Sequence, residues 1–341
     1  MDLALCISLT PEHSSHLADE DLAELDSPAL KDALVKALSR LGSVRVWDTT
    51  VLSPAEIARE KKPDLVFNVA EGIYGTAREA QAPALFEWLG WRYVGSDPVT
   101  LAVTHDKWLT HCVLERAGVP TARAARVDGL TGREKKLDLR YPLIVKPVAE
   151  GAGKGIHDSS VVDDERALDA LIEPLLRRHG QALLLEEFLP GREFTVAVLG
   201  NRGAWEALPI VEIDFSAIPE SPRRVYGYHA KFTWHGEGHM RCPAPIGEPL
   251  RREIEALAVA SCEALGIRDW ARVDIRLDAA GKPHVLELNP LPGIYPDEAY
   301  ISCFTKAAYA AGMTFDGLIE RLVRLSMARY ESPWFLPHKQ R

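Results

Sequence analysis

The chain has 341 residues, 47% of them hydrophobic, with 40 basic against 49 acidic side chains and a net charge of -9. That length predicts two or three domains, each able to bury a core of its own. The acidic balance argues against a nucleic-acid footprint, and no apolar run approaches the roughly 20 residues of a membrane span, so neither nucleic acid nor membrane is an expected partner.

Residues 1–9 read as a first buried strand, because the run is too short and too soon acidic for a signal peptide. Leu30, Leu34, Ala37, Leu38 and Leu41 then recur at helix-face spacing, with Ser27 and Pro28 as cap and first turn and Gly42 as the stop. Residues 44–47 and 65–69 read as further strands, the second followed closely by Gly72 and Gly75. Strand alternating with helix predicts a small α/β domain over residues 1–97. Ligands gather beyond the carboxyl ends of strands in such sheets, so the loop at 68–75 is a candidate pocket wall.

A helix through 105–117 leads into a second unit. Its apolar strand at 142–147 delivers Lys146 and runs into a loop holding Gly151, Gly153, Gly155 and Lys154. Such a loop lets backbone amides approach a phosphate, with Lys154 adding charge; it is equally well a glycine-rich turn, and it is not a Walker A sequence. In the element at 183–198, Glu186 and Glu187 interrupt an apolar strand and Glu193 follows a Pro-Gly turn. Carboxylates there either accept from a purine amino group and ribose hydroxyls or are merely solvated.

The strand at 271–277 alternates Arg272, Asp274 and Arg276 against Val273, Ile275 and Leu277. A turn at 278–282 returns the chain through 283–290, which folds Glu287 roughly opposite Asp274 and leaves Asn289 on the same face. Two carboxylates and a carboxamide suit Mg²⁺, with Mn²⁺ as substitute; the other reading is a surface hairpin with solvated charges. Cys6, Cys112, Cys242, Cys262 and Cys303 are odd in number with no C-x-x-C pair, which predicts reduced, buried thiols and a cytoplasmic protein.

Taken in order, Lys146-Pro147 with its glycine loop, the run from Glu186 to Glu193, Ala271 to Asp274, and Leu286 to Pro290 with Pro292-Gly293 behind resemble the ATP-grasp superfamily. Within it the chain is similar to the D-alanine-D-alanine ligase family, over most of its length from about Phe67. The resemblance implies a fold of the α/β class: an N-terminal Rossmann-like α/β domain (1–97), then two α+β ATP-grasp subdomains (98–184 and 185–341) that clamp ATP, the last carrying the metal and catalytic residues. It implies Lys107 and Lys146 on the ATP phosphates, Glu186, Glu187, Phe188 and Leu189 along the adenine pocket, and Glu193 on the ribose. Lys231 matches a lysine on a mobile loop over the γ-phosphate, Asp274, Glu287 and Asn289 match the magnesium ligands, and Arg272 and the Gly293 amide match the groups at the developing oxyanion. The implied reaction joins a carboxylate and an amine through an acyl phosphate, and the family commonly forms a homodimer through its first domain.

Departures from the family bear on the substrates. Ala152 replaces a serine and Phe232 a tyrosine of one hydrogen-bonded cluster, in which Glu24 matches the N-terminal glutamate. Glu298 and Ala299 stand where Ser-Leu binds the acceptor carboxylate, and beside Asp297 they predict repulsion of that carboxylate and preference for an amine or a longer basic substrate. The expectation is therefore an ATP-dependent ligase of small amino-acid-like substrates. The alternatives are a ligase for a peptide or natural-product precursor, and a nucleotide-binding protein without ligase activity. His105, His157, His229 and His235 show no metal spacing and most read as surface or loop residues, with His229 in the segment expected to close over the site a candidate for a role, while Trp205, Trp234 and Trp270 read as packing residues.

Overall fold

The computed structural model describes residues 1–11, 24–129, 138–151, 153–217, 223–227, 239–297 and 302–332. β1 (Asp2–Ile7) is the middle of a parallel sheet ordered β2-β1-β3, with β2 at Ser43–Asp48 and β3 at Leu65–Asn68. From Leu3 to Ile7 every side chain of β1 is buried, as a central parallel strand covered on both faces requires. Between β1 and β2, α1 (Pro28–Ser39) starts where the sequence predicts: the Ser27 hydroxyl accepts from the Leu30 amide, and Pro28 sits in the first turn. Its end comes earlier than Gly42. That glycine serves a close approach instead, since a Cβ there would lie 1.9 Å from the Met1 carbonyl oxygen.

After α2 (Pro54–Ile57), α3 (Gln81–Trp88) and α4 (Pro98–His105), the helix expected at 105–117 is present as α5 (Lys107–Arg116). Asp106 leaves the helical region, with φ -91° and ψ 107°, and its carboxylate caps the Leu109 amide. The break puts Lys107 at the first position of α5, where it can turn inward. An antiparallel sheet ordered β4-β7-β5-β6 follows, from β4 (Ala124–Val127), β5 (Leu143–Pro147), β6 (Val161–Val162) and β7 (Leu183–Glu187). α6 (Glu165–His179) lays Leu168 and Ile172 on one face of it.

The third sheet runs β11-β10-β8-β12-β13, with β9 added on β8. Its strands are β8 (Glu193–Asn201), β9 (Ala204–Ala207), β10 (Val211–Ile213), β11 (Met240–Arg241), β12 (Asp269–Leu277) and β13 (Pro283–Asn289). α7 (Glu248–Leu265) covers one face, packing Ile254, Ala258 and Cys262 against Val196, Val273 and Ile275. Ala197, Leu199 and Trp270 point to the other face, where α8 (Cys303–Ala310) and α9 (Phe315–Glu331) meet α1 and β1. The N-terminal sheet and the C-terminal helices thus share one core, closed by a bidentate pair of Arg329 on α9 with the fully buried Asp269.

Candidate active site

A cavity of about 1440 Å³ opens among the three sheets. Drug-sized ligands occupy pockets of about 300–1,000 Å³, so this space is large enough for more than one small ligand. β12 and β13 form its floor. Arg272 pairs with Asn289 and Asp274 with Glu287 in the ladder, and all four line the cavity. A β-bulge produces this convergence. From Leu277 opposite Pro283 to Ile275 opposite Val285 the register is regular; Leu286 is then skipped, and Asp274 meets Glu287. In the unbroken register Asp274 would face Leu286, and Glu287 would point toward the core with Val285.

Asp274 is held from both sides. Arg272 Nε and Nη2 donate to its two oxygens at 3.1 and 3.0 Å, and Thr195 Oγ1 donates to Oδ1 at 2.8 Å. Burial works against the charge on Arg272, but the Asp274 and Glu287 carboxylates outweigh it and hold the guanidinium above its ordinary pKa. Lys107 Nζ lies 3.6 Å from Glu287 Oε1 and donates to the Glu150 carbonyl oxygen. Lys146, on β5, is buried and ion-paired with Glu186 on β7. Arg276 donates to Glu193 at 3.0 Å, and its guanidinium lies 4.9 Å from the Phe188 ring centre. Gly293 also borders the cavity. Among the described residues no group of three His, Cys, Asp or Glu is placed to hold a metal, so the acceptor set on offer is two carboxylates and the Asn289 carboxamide.

Other expected residues either lie off the space or already have protein partners. Glu186 is taken up by Lys146, and Glu187 accepts from Arg140 and Arg123 on the opposite, more open side. Phe188 packs behind an apolar slot of Ile144, Ile156 and Val225, which do border the cavity, and Leu189 is buried. Lys154 is not free above the loop: its Nζ lies 3.2 Å from Glu24 Oε2. Glu24 is on the cavity wall but its carboxylate is committed, receiving Arg78 Nε and Nη2 at 3.1 and 2.6 Å and the Gly151 amide at 2.9 Å. The loop amide at Gly151 is therefore already bonded by a protein carboxylate. Lys231, Ala152, Phe232 and Glu298 lie outside the described residues.

Several lining residues escaped the sequence reading. The loop at 68–75 does supply wall, through Glu71, and a Cβ on Gly72 (φ +73°) would lie 2.6 Å from the Arg78 carbonyl oxygen. His105 is a correction: it is buried, with Nδ1 2.8 Å from Glu79 Oε1, and is neither surface nor loop. Asp26, Tyr226, Tyr295 and Lys306 also face the space. Lys306 and Asp297, the described member of the acidic stretch expected there, both line the cavity. Tyr226 lies in a segment, 225–232, that shares the family resemblance, and Tyr295 follows the Pro292-Gly293 turn, whereas Asp26 and Lys306 lie in no motif and only tertiary proximity reveals them.

Burial pushes the Asp26 carboxyl up to about 7, against a weaker opposing hydrogen bond from Tyr295. The folded protein then holds this proton more tightly than the unfolded chain, whose Asp titrates near 3.8. Stability is greatest below that lower value, falls as pH rises toward 7, and is level above it. Asp26→Asn should flatten this fall and raise the melting temperature at pH 8, by a shift worth on the order of a few kcal/mol. Thermal unfolding between pH 4 and 8 checks it; a slope unchanged in the variant assigns the loss to another group.

The sequence profile described as D-ala D-ala ligase C-terminus matches residues 113–324. An uncharacterized protein, y4sG, of Sinorhizobium fredii is 34% identical over 311 residues, covering 88% of each chain. A protein of Desulforudis audaxviator named D-alanine--D-alanine ligase is 32% identical over 278 residues, covering 81% of this chain and 85% of the other. Among solved structures, the D-alanine--D-alanine ligase of Bacillus anthracis complexed with ATP superposes with a TM-score of 0.73 at 19% identity, over 97% of this chain and 99% of that one. This last likeness concerns the fold.

Proposed function

The chain belongs to the D-alanine-D-alanine ligase family of the ATP-grasp superfamily, and from that premise we propose that it is an ATP-dependent ligase joining the carboxylate of one small amino-acid-like molecule to the amine of another. The observation that carries this reading is the gathering on one cavity of Lys107 and Lys146 with Asp274, Glu287, Asn289 and Arg272. A site for the nucleotide alone would not need an arginine and two facing carboxylates on the floor next to two phosphate-seeking lysines.

The residues divide the work by charge. Ile144, Ile156 and Val225 offer an apolar slot for a purine, and Glu193, held by Arg276, accepts from ribose hydroxyls. Lys107 and Lys146 neutralise phosphate oxygens. The donor set of Asp274, Glu287 and Asn289 fits Mg²⁺, a hard cation that takes oxygen ligands; bound there, it would withdraw charge from the transferring phosphoryl group. Arg272 and the Gly293 amide stand where an oxyanion develops when an amine attacks the acyl phosphate. In the balanced reaction the substrate carboxylate takes the γ-phosphoryl group and releases ADP; the amine then displaces phosphate and loses a proton as the amide forms.

The test is phosphate release from ATP with a panel of amino acids of both configurations, singly and in pairs. Release that requires both a carboxylate and an amine, with the dipeptide or amide seen by mass spectrometry, is the expected result. Release indifferent to amino acids would leave an ATPase or a nucleotide-binding protein. The resemblance further proposes a cytoplasmic homodimer, to be read by sedimentation.

A further inference from the structure

Resting on the ligase reading, we propose that Asp26 and Glu71 form a cation subsite that selects an amino-acid substrate with a second ammonium group, a diamino acid, over alanine-sized substrates. The argument is a charge balance over one arm of the cavity. Five carboxylates stand there: Glu24, Asp26, Glu71, Glu79 and Glu150. Among the described residues two permanent cations serve them, and both are spent: Arg78 and Lys154 pair with Glu24 at 2.6 and 3.2 Å and reach Glu150 at 3.7 and 4.0 Å. Glu79 is taken by His105. That leaves Asp26 and Glu71, and among the described residues no lysine or arginine comes within 4.0 Å of either carboxylate.

A second observation points to a ligand. Asp26 is only 8% exposed, borders the cavity, and has one carboxylate oxygen, Oδ2, with no hydrogen-bond partner among the described residues. A buried acceptor without a donor is costly, and a ligand ammonium supplies donor and charge together. Glu71 is half-buried and borders the same space, where burial and then Glu79, Glu24 and Asp26 push its carboxyl well above the ordinary range. Tyr295, two residues beyond Gly293, lines the same space beside the pair. Glu24, the glutamate that the resemblance would place on a substrate amine, has its charge met by Arg78 and Lys154. An alanine-sized substrate brings one ammonium for two unmet carboxylates; a diamino acid brings two.

The experiment measures binding by calorimetry to the full chain with Mg²⁺ and a non-hydrolysable ATP analogue. Lysine, ornithine and 2,4-diaminobutyrate of both configurations are compared with norleucine and alanine. The expected result is that one diamino acid binds at least roughly tenfold more tightly than its neutral counterpart, and that Glu71→Gln and Asp26→Asn each remove roughly tenfold of that affinity while changing neutral-ligand affinity little. Neutral amino acids binding as tightly as the diamino acids, or variants lowering both classes alike, would overturn the proposal. Phosphate release measured in parallel keeps the two readings apart: turnover that favours neutral substrates rejects the subsite and keeps the ligase, whereas absence of turnover with every pair rejects the ligase and leaves the binding preference measurable.

Discussion

Asp274→Ala should lower amino-acid-dependent phosphate release by roughly 10²–10³-fold or more, a barrier increase of about 3–4 kcal/mol. The side chain is one of two carboxylates that the bulged ladder sets face to face, and it alone is gripped by Arg272 and Thr195. Its loss removes an oxygen donor from the proposed cation site and frees Arg272, a half-buried guanidinium, to swing toward Glu287. Two consequences can be separated. Asp274→Asn keeps an oxygen acceptor for Thr195 and preserves the fold, so its loss of turnover, together with loss of the Mg²⁺ dependence of ATP binding in calorimetry, reports on the cation site. Turnover unchanged in a folded Asp274→Ala would remove this residue from the proposed metal set.

The largest effect on stability is expected at a residue that touches no ligand. Asp269 is fully buried; its Oδ2 accepts from the Gly95 amide at 2.8 Å and from Arg329 Nη2 at 3.0 Å, while Oδ1 accepts from Asn201 Nδ2 and Arg329 Nε at 3.1 Å each. Arg329 in turn donates to the Tyr93 carbonyl oxygen at 2.8 Å. One carboxylate therefore ties the end of the N-terminal unit, the start of β12 and α9. Asp269→Ala should cost about 3–5 kcal/mol, because the buried arginine loses its counter-charge and several donors lose their acceptor. Alanine also fits poorly at φ +65°, a left-handed conformation that aspartate tolerates better. Urea unfolding checks the figure. Asp269→Asn keeps one acceptor oxygen and the backbone preference and should cost less; a loss below about 1 kcal/mol for the alanine variant would show that the pair contributes little net stability.

The two residues differ in how far the sequence exposes them. Asp274 sits in an alternating strand, one turn from its partner strand, and local pairing over a short loop leaves few registers to choose from. Even here the bulge is faint in the sequence. Pro283 and Val285 are buried, the next buried residue is Leu288, and that slip from a period of two is the trace of Leu286 being skipped. Asp269 gives no such trace, because its partners Gly95 and Arg329 are 174 and 60 residues away. The helix expected at 105–117 differs only at its start, where the Asp106 side chain caps the Leu109 amide and sets the first helical residue at Lys107.

By itself the sequence determined the strand and helix alternation, the cap of α1, the polar face of β12 with its return through Glu287 and Asn289, and the resemblance that carries the family. These are short-range matters, set by side-chain period, turn chemistry and motif order. Only the tertiary structure decided that the C-terminal helices close the N-terminal core, that Glu24 and Lys154 neutralise each other, and that among the described residues Asp26 and Glu71 face the cavity with no lysine or arginine within 4.0 Å. Charge compensation depends on which groups end up within a few ångströms, and that distance is a property of the packed chain rather than of any segment of it.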